Sequence, residues 1–125
     1  MHIMKDLTKA EEQVMQVLWE VKKGFVKDLL PYFPDPKPAY NTVSTIVRIL
    51  EKKGFVSHIT FGKSHQYYPT VSRDEYRGDQ FSSLLKNYFN NSFKQVLSHF
   101  SHTGNLNLKE ADEIIKLLEE LKNES

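Results

Sequence analysis

Apolar residues recur at intervals of three and four through the first half of the chain, shift to a tighter alternation after residue 54, and regain helical spacing near residue 80. Thr8-Lys-Ala-Glu11 has the form of a capping box, in which a hydroxyl accepts from the third helical amide and a carboxylate reaches back to the cap. A helix is expected to start there, with Val14, Val17, Leu18 and Val21 as its buried stripe, Met15 and Trp19 at the margin, and Gly24 as its end. Phe25 to Phe33 reads as a short second helix offering Val26, Leu29, Leu30 and Phe33 to the first, its last turn weakened by Pro31. Pro31, Pro34, Pro36 and Pro38 then favour an extended connection.

The stretch from Tyr40 to Val56 reads as a third helix. Val43, Ile46, Val47 and Leu50 form one apolar stripe, leaving Asn41, Thr42, Ser44, Thr45 and Arg48 on the opposite face. Asn41 or Thr42 is expected as N-cap, Lys52 and Lys53 oppose the negative end of the helix dipole, and Gly54 supplies a left-handed stop. From Phe55 the period becomes two. Phe55 to Phe61 and His65 to Pro69 flank Gly62-Lys63-Ser64 and predict a β-hairpin with Lys63 and His65 near its tip. Of the adjacent Tyr67 and Tyr68, alternation sends one ring inward and one outward. Three helices followed by a hairpin is the order of a winged helix-turn-helix domain.

Ser72-Arg-Asp-Glu75 is a second capping box. It is expected to open one long helix carrying Phe81, Leu84, Leu85, Tyr88, Phe89, Phe93, Val96, Leu97 and Phe100 on a single stripe, with Gly78 as a hinge near its start. After a polar loop, Asn107-Leu-Lys-Glu110 caps a last helix with Leu108, Ala111, Ile114, Ile115, Leu117, Leu118 and Leu121. The fold class expected is mainly α with a small β-hairpin: a winged-helix domain over residues 1–71 and a two-helix region over 72–125. A helical hairpin shares one seam, too narrow for both stripes. A second copy of the chain is the expected cover, through Phe81, Leu85, Tyr88, Phe89, Phe93, Val96, Leu97, Phe100, Ile114, Leu118 and Leu121. The alternative is a tail folded back on its own winged domain.

Composition narrows the chemistry. At 125 residues the chain suffices for one domain with an appended element. No apolar run approaches a membrane span, and Met1 to Asp6 lacks the apolar core of a signal peptide, so a cytoplasmic location is expected. With 0 cysteines, disulfides, thiolate metal sites and cysteine nucleophiles are excluded. Charge is nearly balanced at 17 Lys or Arg against 16 Asp or Glu, which by itself argues neither for nor against a polyanionic partner. His99-x-x-His102 has metal-ligand spacing without a third ligand nearby, and His2, His58 and His65 are scattered. No nucleophile–base arrangement and no glycine-rich phosphate loop is present, so neither an enzyme nor a cofactor is indicated.

A third helix before a wing is normally the one laid into the major groove of duplex DNA. Asn41, Thr42, Ser44, Thr45 and Arg48 are therefore the candidates for base or backbone contact, and Lys37, Lys52, Lys53 and Lys63 for phosphates.

The chain resembles the penicillinase repressor family of bacterial transcription factors, the BlaI and MecI type. The resemblance is carried by Leu7-Thr-Lys-Ala-Glu-Glu-Gln-Val-Met-Gln-Val-Leu-Trp19, Asn41-Thr-Val-Ser-Thr45, Lys53-Gly-Phe-Val56 and Tyr67-Tyr68-Pro69, and covers Leu7 to about Leu121. It implies a homodimeric repressor that binds a palindromic operator through the third helix and wing, with the helical tail as dimer interface. It also implies inactivation by proteolysis in the tail, triggered by a membrane sensor. The cleavage pair would be His99-Phe100, where the best-known relatives have Asn-Phe. The recognition-helix arginine stands at Arg48, one position before the slot the family uses, here Ile49. Copper-sensing relatives use cysteine ligands, which this chain lacks. Two other readings fit the same order of elements: a protein-interaction module, or a repressor that senses a small ligand without cleavage.

Overall fold

A computed structural model describes residues 6–104 and 107–124, with side chains described as far as residue 117. His2 lies outside the described residues, as do the side chains of Leu118 and Leu121. The chain divides into two compact units, Met1–Asp79 and Gln80–Ser125.

In the first unit, α1 spans Lys9–Val21 and opens on the expected capping box: the Glu11 amide donates to Thr8 Oγ1 at 3.1 Å and the Thr8 amide donates to Glu11 Oε1 at 2.9 Å. Its end differs from the expectation. Lys22, at φ 75°, takes the left-handed position that Gly24 was expected to fill. Gly24 instead pairs with the wing, its amide donating to Tyr67 O at 3.0 Å and its carbonyl accepting from Tyr67 N at 2.9 Å. The second helix is shorter than its apolar pattern. α2 covers Val26–Leu29, and with Pro31 in the next turn the chain tightens into a 3-10 helix, Leu30–Tyr32.

α3 spans Tyr40–Lys52 and begins before the residues expected to cap it. The N-cap is Ala39, which has no side chain to bond an amide, so Asn41 and Thr42 sit inside the first turn rather than ahead of it. Strands β1, Val56–Phe61, and β2, Ser64–Pro69, pair antiparallel from Val56↔Pro69 to Phe61↔Ser64, and Gly62 at φ 61° makes the turn. α4 begins at Arg73 on the second capping box, with Glu75 N donating to Ser72 Oγ at 3.0 Å and Ser72 N to Glu75 Oε1 at 3.2 Å.

The core of this unit joins Val14, Met15 and Leu18 of α1 to Leu29, Phe33, Val43, Val47, Leu50 and Phe55. Val43, Val47 and Leu50 are 0 % exposed, and Ile46 packs against them only partly buried. Burying a side chain of this size contributes about 1.5–3 kcal/mol, so α3 is held by its stripe and not by its cap. Tyr76, on the first turn of α4, seals one side: it lies edge-on to Phe55 and tilted against Trp19, and its hydroxyl donates to Glu12 Oε2 at 2.8 Å. Burial first, then the Glu12 bond, push its phenol far above the usual range.

The single long helix expected after Ser72 is interrupted. α4, Arg73–Phe89, ends at Asn90 and Asn91, both left-handed at φ 51° and 61°, and Ser92 caps a new helix α5, Phe93–His102, by accepting from Gln95 N at 3.2 Å. Asparagine tolerates the left-handed region better than other residues with a Cβ, which permits the break. α6, Leu108–Glu124, starts on Asn107, whose Oδ1 accepts from Glu110 N at 2.8 Å. The tail is thus three helices, and the nine-residue stripe is divided between two of them. Gly78 is helical within α4, where an added Cβ would meet nothing within 4 Å.

Glu11 is buried, which by itself raises a carboxyl pKa; the hydrogen bonds from Lys53 and Thr8 and the Lys53 charge outweigh that and lower it. A carboxylate depressed in the folded state contributes stability that is complete above its unfolded pKa and lost as pH falls through its folded one. Glu11→Gln is therefore expected to cost about 1–3 kcal/mol at pH 7, with the gap to wild type closing below about pH 4. Urea denaturation at several pH values measures it, and a gap independent of pH would contradict the assignment. At the α4–α5 break, Asn91→Gly should change thermal stability little, whereas Asn91→Val should cost about 1 kcal/mol or more because a β-branched residue resists positive φ.

Candidate nucleic-acid interface

The face of α3 opposite the core carries Asn41, Thr42, Thr45 and Arg48 exposed and Ser44 half-buried. Two of these are engaged with their own helix. Thr45 Oγ1 donates to Asn41 O at 2.9 Å, which uses the hydroxyl proton but leaves the oxygen free to accept. Arg48 Nε donates to Ser44 O at 3.2 Å and leaves the guanidinium's outer N–H groups available. Asn41 and Thr42 have no intramolecular side-chain bond among the described residues.

The four candidate lysines separate. Lys53 Nζ sits 2.7 Å from Glu11 Oε1 and donates to Asp6 O, so it locks α3 to α1 and is withdrawn from outside contacts. Lys37 Nζ donates to Phe33 O at 2.8 Å and Pro31 O at 3.3 Å, bracing the proline-rich connection. Lys52 and Lys63 are exposed and unpaired among the described residues.

The wing stands beside the start of α3. Tyr67 is buried and Tyr68 half-buried, the expected split. Burial, reinforced by Glu51, raises the Tyr67 phenol above its ordinary value, and nearby Arg48 offsets part of this. His58 Nδ1 lies 2.6 Å from Glu51 Oε2, tying β1 to the last turn of α3. At the tip, Phe61 meets Phe25 edge-on at 5.8 Å.

Between wing, α2 and α3 lies an open groove of about 350 Å³ whose lining includes Lys27, Tyr40, Ser44, Lys63, Ser64 and His65. Sequence reasoning missed Lys27, Tyr40 and Ser64. Tyr40 precedes the polar run by one residue and was within reach of it. Lys27 was not, because it joins the wing only through the pairing of Gly24 with Tyr67, more than forty positions along the chain.

In the second unit, Leu85, Val96 and Ala111 are buried and Phe89 and Leu97 half-buried within the single chain. Phe81 and Phe93 stack at 5.7 Å yet stay exposed, as do Tyr88, Phe100, Leu108, Ile114, Ile115 and Leu117. His99 and Phe100 lie inside α5 with rings 5.4 Å apart, and His102 Nδ1 bonds Ser98 O. Among the described residues there is no cluster suited to a metal ion and no helix long and apolar enough to cross a membrane.

The chain is 25% identical over 118 residues to the penicillinase repressor of Bacillus licheniformis, covering 94% of this chain and 92% of that protein. It is 22% identical over 114 residues to the methicillin resistance regulatory protein MecI of Staphylococcus aureus, covering 90% and 93%. Among solved structures it is similar to Bordetella bronchiseptica BpsR (TM-score 0.49, 17% identity, covering 95% of this chain and 77% of that one). A second is the oxidised form of MarR from E. coli (TM-score 0.48, 16% identity, 93% and 76%). The family pattern described as penicillinase repressor matches residues 7–120, nearly the whole length, and the chain accordingly belongs to the penicillinase repressor family of transcriptional regulators.

Proposed function

We propose that the chain is a homodimeric repressor that binds a palindromic operator, with α3 in the major groove and the wing along the flanking backbone. The observation that carries this is the division of α3 into two faces. One buries Val43, Val47 and Leu50 completely, and the other presents Asn41 and Thr42, with no side-chain partner among the described residues, beside a groove that holds lysines. Asparagine and threonine are side chains that read base edges, and lysines position a protein on phosphates. Membership of a repressor family supports the same reading.

Dimerisation is supported by the second unit. Tyr88 on α4 is 76% exposed, Phe93 on α5 42%, and Leu108 and Leu117 on α6 80% and 56%, and apolar surface of this kind on three consecutive helices calls for a cover. A second copy supplies it and gives the two recognition helices that a palindrome requires. Cutting at His99–Phe100 would divide α5, within the region assigned to the dimer, and so release the operator. Cleavage requires α5 to open locally, since proteases act on extended backbone.

Thr42→Ala should weaken binding to a duplex from the region upstream of the chain's own gene by about 1 kcal/mol or more, with random duplex unaffected. Equal loss on both would count against base reading, and no binding to either duplex would favour the interaction module. Tyr88→Glu combined with Leu117→Glu should shift the sedimentation coefficient to that of a monomer and remove specific binding; a monomeric wild type would refute the dimer.

A further inference from the structure

The groove at the wing has a composition that the recognition face alone does not account for. Lys27 comes from α2, Tyr40 and Ser44 from α3, and Lys63, Ser64 and His65 from the wing. With Tyr67 of the second strand, two lysines, four hydroxyl-bearing residues and one imidazole line the space, and no carboxylate does. Lys27 and Lys63 make no hydrogen bond or ion pair among the described residues. Phe25 and Phe61, edge-on at 5.8 Å, supply an aromatic wall to the same groove.

We infer that this groove seats a backbone phosphate of duplex DNA and that His65 is a proton-dependent contact within it, so that affinity for duplex rises as pH falls. The inference rests on the DNA-binding reading above and adds to it a defined seat for one phosphate and a pH response. His65 is the residue in the groove suited to carrying the response, because imidazole is the side chain that changes charge between about pH 5 and 8. Its surroundings are well defined. Across the hairpin Thr60 Oγ1 lies 3.4 Å from His65 Nδ1, and the His58 ring lies 4.2 Å from its ring. Tyr67 faces it from its own strand with ring centroids 6.2 Å apart. Lys63 adjoins it in the turn, Lys27 and Tyr40 line the same groove, and Arg48 and Glu51 act on neighbouring Tyr67 from α3.

The nearest carboxylate in this set, Glu51, is held by His58 at 2.6 Å and does not line the groove. A phosphate seated between Lys27 and Lys63 would be the anion beside His65. An anion favours the protonated ring, and by reciprocity the protonated ring holds the anion more tightly. Since a phosphate contact carries no sequence information, the effect is independent of sequence.

The test is fluorescence anisotropy at constant ionic strength, from pH 8 to pH 6, with two labelled duplexes: one from upstream of the chain's own gene and one of random sequence. Wild type is expected to bind both more tightly at pH 6, by roughly 3-fold to 10-fold. His65→Gln should flatten that slope on both duplexes, while His58→Gln, which removes the facing ring outside the groove, should keep it. Lys27→Ala should reduce the salt dependence by about one counterion. Circular dichroism confirms that each variant is folded. Specific binding with a slope that survives His65→Gln would overturn this inference and leave the repressor reading standing. So would a slope lost in His58→Gln but kept in His65→Gln. No binding of wild type to either duplex at any pH would overturn both.

Discussion

The pairing of Gly24 with Tyr67 is the contact on which the arrangement of the first unit depends. Two hydrogen bonds, at 3.0 and 2.9 Å, attach the wing to the segment between α1 and α2. A lone two-stranded hairpin is marginal in water, and these bonds give it a partial third strand. An added Cβ at Gly24 would come within 3.1 Å of Leu29 Cδ2, so a larger residue there would press on the buried leucine of α2. At the base of the hairpin, Thr70 donates from its amide to Phe55 O and from its hydroxyl to Gly54 O, so the wing is anchored at two places. Its tip is thereby fixed beside α2 and α3, and the groove is the space this leaves between them.

The second constraint is the separation of the core face of α3 from its exposed face. Val43, Val47 and Leu50 supply the burial that holds the helix, and Lys53 to Glu11 and Glu51 to His58 fix its last turns to α1 and β1. Asn41, Thr42 and Thr45 contribute none of this. A helix held entirely from behind can vary its outer face without loss of fold, which is how one scaffold can carry different functional surfaces.

Much of the fold was legible because it depends on short-range chemistry. Both capping boxes, the Asn107 cap, the glycine turn of the hairpin and the buried stripe of α3 are interactions within a few residues, and each is present. The break after Phe89 was as local, since Asn90-Asn91-Ser92 combines two residues tolerant of positive φ with an N-cap, but the apolar spacing on either side runs on in phase and masked it. The site was less legible. A lysine's chemistry depends on what folding places next to it, so nothing in the residues around Lys53 reveals that Glu11 claims it, and nothing around Lys27 reveals the wing.

The same dependence on folded surroundings explains how little the overall charge says about the partner. A net charge of +1 averages lysines with opposite fates. Lys53 is neutralised by Glu11, and Lys37, though exposed, is bonded to the carbonyls of its own loop and paired with Asp35. Lys27 and Lys63 line a groove free of carboxylates. At the groove, the field that an approaching polyanion meets is set by this last pair, within a Debye length of about 8 Å at physiological salt, and not by the sum over the chain. A nearly neutral protein can therefore present a locally cationic surface, provided the fold keeps its carboxylates out of that surface.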